Sequence, residues 1–434
     1  MDLAAATAIA RFGLGARPGQ PIPADPRAWL AAQLASPAWP DPARFGPAPT
    51  AARGLEALRA DRRDKPAPGK GRVAATFRAD AAQAASIALL SDTPFRERLV
   101  WFWANHFTVS RRAGGVTPLA GAFIAEAIRP HVTGRFSDML LAVMRHPAML
   151  IYLNNAGSVG PDSRAGRRGR RGLNENLARE CLELHTVTPQ SGYTQADVTN
   201  FARILTGWSI DLRADPPGFL FRPFAHEPGP GHLMGHSFPA GEAGGVAALR
   251  FLADHPATHA ALARKLAVHF IADAPPPGAV AALTEMLART QGDLGAAAAA
   301  LIARPEAWRP GTKLRAPQDF VFATLRAAGA GPIDPARPYI LGALASLGQP
   351  LWDAPQPNGW PDRAADWAGP AAMLRRVGWS YGVAGRLHHH DPAEFATATL
   401  GAALHPATAT AIAHAGSRRD ALALFLSSPE FQRR

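Results

Sequence analysis

Proline and glycine interrupt this chain so often, 41 and 40 times in 434 residues, that no regular element can run far before it is broken. Between the breaks the sequence is rich in Ala, Leu and Arg and has few runs of β-branched residues, so the uninterrupted segments favour helix. Apolar residues make up 47% of the chain, ample material for a core. The expectation is an all-α protein, a large irregular multi-helix single domain with long Pro/Gly-rich loops. Within residues 1–434 the pattern sets off an N-terminal helical and linker portion (1–71), a core carrying the site helices (72–347) and a C-terminal helical portion (348–434). Residues 51–71, ending in DRRDKPAPGKG, have the composition of a solvated linker. No stretch reaches about 18 uncharged apolar residues, so no membrane span is expected.

Charge and cysteine content narrow the function. The net charge of +12 is carried almost entirely by arginine, which suits an anionic substrate or polymer. A coding bias that enriches Arg, Ala, Pro and Gly together explains the same excess. Nucleic acid is disfavoured, because no helix-turn-helix or comparable signature is present. Cys181 is the sole cysteine, which excludes an intramolecular disulfide and any multi-cysteine metal site within one chain. Residues 1–10, MDLAAATAIA, lack the basic leading region of a signal peptide. The default expectation is therefore cytoplasmic, and periplasmic or exported if the true start lies upstream.

Chemically capable side chains concentrate between Asn174 and Trp208, NENLARECLELHTVTPQSGYTQADVTNFARILTGW. On a regular helix Asn176, Glu180 and Glu183 share one narrow face, Arg179 lies beside them within i,i+4 reach of Glu183, and His185 points away. A solvated helix face explains such carboxylates equally well. After a Gly turn, Thr194 and Asp197 fit a capping box for a second helix that closes on Gly207 and Trp208. Upstream, Thr93 and Pro94 open an aromatic helix ending in WFWANHF, where His106 is either a hydrogen-bonded core residue or a partner for the two carboxylates. Five arginines between 164 and 171, Arg167 and Arg168 among them, form a basic Gly-rich loop before the polar helix. Its alternatives are an ordinary solvated linker and a holder of phosphate, sulfate or uronate groups. Beyond Trp208, His226 lies in a Gly/Pro-rich segment that reads as a loop or short hairpin.

The strings NENLARECLELHTV, GYTQADV, FARILTGW and WFWANHF, with RFGLGARPG at residues 11–19 and SSPEFQRR at the C-terminus, resemble the bacterial "domain of unknown function 1800" family over nearly the whole chain. The shared positions are His106, Asn174, Glu175, Asn176, Arg179, Glu180, Glu183, His185, Asp197 and Trp208. Cys181 stands where an aliphatic residue is expected, and Thr188-Pro189 where a Gly commonly follows the His-Thr pair. The resemblance brings no assigned activity. It implies a "domain of unknown function 1501" protein as a partner, since relatives often look exported and are encoded beside such proteins.

Two functional expectations follow. In the first, an enzyme of the metal-dependent hydrolase type uses Glu180, Glu183, His106 and Arg179, with Asn176, Arg203, Arg167 and Arg168 binding a polar or anionic substrate. A divalent ion would then be held by His106, Glu180 and Glu183, with His185, Asp197 and His226 as further candidates. In the second, the chain is a non-catalytic binding or assembly protein: its polar helix face is a buried structural network and its arginine loop docks an acidic partner.

Overall fold

The computed structural model describes residues 1–169 and 172–434; Arg170 and Arg171 of the basic loop lie outside the described residues. Helix dominates, at 60% against 4% strand, in a single large domain. Seven helices build or support the candidate site. They are α1 (Arg72–Leu90), α2 (Pro94–His106), α3 (Asn176–Glu180), α4 (Gln195–Ile204), α5 (Pro256–Phe270), α6 (Pro317–Ala327) and α7 (Pro370–Ala384). Four of these, α2, α5, α6 and α7, carry proline in the first turn, where its missing N–H costs nothing. Helix α5 is capped by the His255 side chain, which accepts from Ala257 N–H at 3.1 Å.

The only strands among the described residues form two small antiparallel hairpins. In one, β1 (Trp208–Asp211) pairs with β2 (Gly218–Phe221), Trp208 opposite Phe221. In the other, β3 (Gly231–Leu233) pairs with β4 (His236–Phe238). The helix expected to close on Trp208 therefore ends at Ile204, and Trp208 begins a strand. Gly207 makes that change of direction. Its φ is +82°, and a Cβ there would sit 2.8 Å from the Arg222 carbonyl oxygen.

A second departure lies at Ala51–Asp64, which is a helix and not a linker. Thr50 caps it, and Leu55 and Leu58 turn its apolar side inward, so its charged face alone made it resemble a solvated segment.

Apolar residues fall into two clusters. The larger gathers α2, α5 and the helices between them, with Trp103, Phe107, Phe136 and Phe270 fully buried. The smaller joins α1 and α6 to the C-terminal helices through Phe320, Phe322, Phe425 and Phe431. Trp352 packs against both clusters. No helix among the described residues is long and apolar enough to cross a membrane.

Buried ion pairs tie these layers together. Arg98 on α2 reaches both oxygens of Asp319 on α6, at 3.2 and 3.1 Å, and donates to Gly13 O at 2.6 Å. Arg434 pairs with the same carboxylate at 3.0 Å. Beside them, Arg129 grips Glu97 in a two-bond fork at 2.6 and 2.8 Å. Burial alone would raise the Asp319 carboxyl, but Arg98 and Arg434 hold it well below the usual carboxylate range. Removing one partner of such a pair strands a charge in low dielectric. Arg129→Met is accordingly expected to lower the unfolding free energy by about 3–5 kcal/mol, read from urea denaturation. A loss under about 1 kcal/mol would mean that water reaches Glu97.

Candidate functional site

Helices α2 and α5 each present a stripe of side chains to a shared cleft. On α2 the stripe is Arg98, Trp101, Phe102, Asn105 and His106; on α5 it is Ala261, Arg264, Lys265, Val268 and His269. Both follow the i, i+3/i+4, i+7/i+8 spacing of one helix face. The cleft has a volume of about 440 Å³ and is completed by α6 and by the segment 349–363, which contributes Trp352 and Trp360.

Asn105 fixes that last wall. Its amide donates to Trp360 O at 2.9 Å and accepts from Trp360 N–H at 2.8 Å. Gly359 permits the approach, since a Cβ there would lie 2.4 Å from Asn105 O. Trp352 adopts φ +52°, a conformation uncommon for a bulky side chain, while its carbonyl accepts from Arg111 N–H at 2.9 Å.

The polar centre of the cleft is Lys265. Its amino group donates to Leu184 O at 2.7 Å and to His106 Nδ1 at 3.1 Å, and His106 Nε2–H points at His185 O, 3.3 Å away. These partners assign His106 as the neutral Nε2–H tautomer. Burial, then Lys265 and His185, push His106 well below its ordinary value, so the neutral form agrees with its surroundings. Desolvation lowers Lys265 to about 8. Among the described residues no carboxylate offsets that cost.

One turn further along α5 the charges are paired. His269 Nδ1–H donates to Asp362 at 2.7 Å, and its Nε2 faces Arg434 at 3.4 Å. Lys313, with 0% side-chain exposure, bonds Asp273 and the Asp362 carbonyl.

The expected His106–Glu180–Glu183 centre is not assembled. Among the described residues no three His, Cys, Asp or Glu side chains converge on a point where an ion could be held, and the groups facing His106 are Lys265 and His185. After α3 the chain widens into a π-turn at Cys181–His185, and beyond it Thr188 N–H donates to Leu182 O at 2.8 Å. Glu180 remains half-buried while Glu183 is exposed. Burial, then Glu183, raises the Glu180 carboxyl. Glu180 in turn helps raise the Tyr152 hydroxyl to about 12, after desolvation.

Other candidates are engaged in holding helices. Arg179 pairs with Glu175 at 2.8 Å rather than with Glu183, and also reaches Gln195 at 3.0 Å, while Glu175 accepts from Thr199 at 2.6 Å. Asn176 is exposed, and its backbone N–H donates to the Asn174 side chain at 3.0 Å. Asp197 closes the capping box and accepts from Met234 N–H at 2.7 Å. His226 uses both ring nitrogens, Nδ1–H to Thr206 O at 2.9 Å and Nε2 from Gly241 N–H at 3.0 Å, which leaves none for a metal. Arg203 lies 3.9 Å from Glu227. His185 is 1% exposed with neither ring nitrogen bonded, and burial, then Lys265, lowers it to about 3. Arg167 and Arg168 are exposed, and Arg168 lines a second, separate pocket to which Arg167 does not contribute.

Sequence reasoning missed Lys265, although a signal for it existed. Only Lys65, Lys70, Lys265 and Lys313 are lysines in this arginine-dominated chain. Two of these four border or support the cleft.

The titration of Lys265 gives a test. The folded amine titrates near 8 against 10.5 for a solvated lysine, so between those values the unfolded chain holds the extra proton. Stability is therefore greatest above pH 10.5, falls as pH drops to 8, and is flat below. Relative to Lys265→Met, the native protein is expected to gain about 2 kcal/mol between pH 7.5 and 10 in urea unfolding. Parallel pH curves for the two proteins would show that this amine is solvated.

The family described as "Protein of unknown function (DUF1800)" matches residues 7–433. Neither the curated proteins nor the solved structures give a match.

Proposed function

The chain belongs to the family whose match spans it, and from that premise we propose that the cleft between α2 and α5 binds a carboxylate-bearing ring compound of the sugar-acid type for acid/base chemistry. The observation that carries this reading is the Lys265 amino group, which borders the cleft with no carboxylate partner among the described residues. A desolvated ammonium of this kind gains most from an anionic ligand group, which supplies the missing counter-charge. An ammonium titrating near 8 is also a stronger proton donor than an ordinary lysine, so the charged form that binds the anion is the form that serves as a general acid.

One further feature supports the ligand class. Trp352 and Trp360 supply aromatic surface against which a ring can lie. In this reading Lys265 binds the anion and moves the proton, and His106 orients it through Nδ1. Arg264 and Arg363, also on the cleft wall, draw in negative charge. The proton-transfer role first considered for Glu180 and Glu183 passes to the amine, and no metal ion is required by the residues that line the cleft.

A second reading is favoured by a specific observation. The bonds joining Glu175, Arg179, Gln195 and Thr199 hold α3 to α4, as expected of an assembly protein whose polar face is structural. Fluorescence titration separates the two, because three tryptophans border the cleft. Glucuronate is expected to quench saturably, with at least tenfold weaker binding in Lys265→Met and none by glucose. Identical responses to glucuronate and glucose, or no response to either, would favour assembly. Glu180→Gln should leave the titration unchanged.

A further inference from the structure

A second pocket, of about 420 Å³, lies between the basic loop and the first hairpin and shares no lining residue with the Lys265 cleft. Its wall includes Arg164, Arg168 and Arg222, two serines and Phe224, and no carboxylate lines it among the described residues. We propose that this pocket is a binding site for a phosphate or sulfate monoester of a ring compound, the three guanidiniums taking the oxoanion and Phe224 the ring.

The basic loop is a built wall rather than a loose linker. Gly160 N–H donates to Ala225 O and Ala165 N–H to Phe224 O, each at 2.9 Å, and Val159 N–H donates to Gly172 O at 3.2 Å. Ser163 closes the turn by donating to Gly160 O at 2.7 Å and accepting from Gly166 N–H at 3.0 Å. Close packing is enforced, because a Cβ on Gly166 would lie 2.1 Å from the Gly160 carbonyl oxygen. Across the pocket, Arg222 is held by a bond from its guanidinium to Ile210 O at 2.8 Å and by its own N–H to Gly207 O at 2.8 Å. One guanidinium is thus fixed before any ligand arrives, and two more border the same space. Guanidinium groups present planar, paired N–H donors that match a tetrahedral oxoanion.

The size and the rim point to more than a free ion. A volume near 420 Å³ falls within the range of small-molecule pockets, roughly 300–1,000 Å³. Phe224 at the mouth is 55% exposed, an apolar ring left in water beside a cationic wall. A ligand with an anionic head and a ring covers both.

Calorimetric titration of the full-length protein with phenyl phosphate and phenyl sulfate tests the site. Saturable binding of either ester at moderate salt is expected, and the stronger one identifies the head group. Arg164→Ala and Arg168→Ala, at exposed positions where folding is not at risk, should each weaken it at least tenfold. Arg167→Ala removes the same charge from the same loop but does not line the pocket, so it should change binding less than twofold. Phe224→Ser should weaken phenyl phosphate while leaving inorganic phosphate unaffected. Absence of saturable binding of both esters, or an Arg167→Ala loss as large as that of Arg168→Ala, would overturn the site. Lys265→Met should bind phenyl phosphate normally, so failure here and failure of the cleft reading are told apart.

Discussion

One carboxylate, Asp319 on α6, holds the two halves of the core in register. It is clasped by Arg98 from α2 and by Arg434, while Arg11 near the N-terminus donates to the carbonyls of Phe270, Ile271, Arg309 and Arg434. Segments far apart in sequence therefore meet at one charge-dense node. Arginine remains charged under any ordinary condition, so every guanidinium buried there must find acceptors, and the carbonyls at helix ends supply them. The packing is specified by this demand as much as by apolar area, because a shifted helix would leave a buried charge unpaired.

The candidate cleft inherits its shape from that node. Arg98, buried, and Asp319, part-buried, both belong to its lining, and Asp362, which faces Arg434 and His269, lines it as well. Asn105 and Gly359 lock the aromatic segment onto the end of α2. Charges on this side are satisfied within the protein. Lys265 differs, since its bonds go to a carbonyl and to a neutral imidazole, and that imbalance gives the cleft its chemical polarity.

The helical class, the start of the aromatic helix at Pro94, and the Thr194–Asp197 capping box were legible in the sequence. They depend on local periodicity, proline placement and short-range hydrogen bonds, all encoded within a few residues. The helix at Ala51–Asp64 was hidden by its charged face. The helical wheel concerns one helix only: Glu183 is exposed and Glu180 half-buried while His185 is buried, and nothing in that local pattern says which distant groups face His106. Lysine scarcity pointed toward Lys265 and Lys313, but nothing local announces that an amine will lose its water.

The sequence by itself determined the family, the all-α class and the absence of an apolar span, since each is set by composition, spacing or ordered motifs along one chain. Tertiary structure alone decided that His106 meets Lys265 and His185 instead of two glutamates, and that Arg168 faces a pocket while Arg167 does not. Those outcomes depend on contacts between residues 79 and 159 positions apart in the chain for the His106 set, and on how burial redistributes charge once they touch. Periodicity carries no information about either.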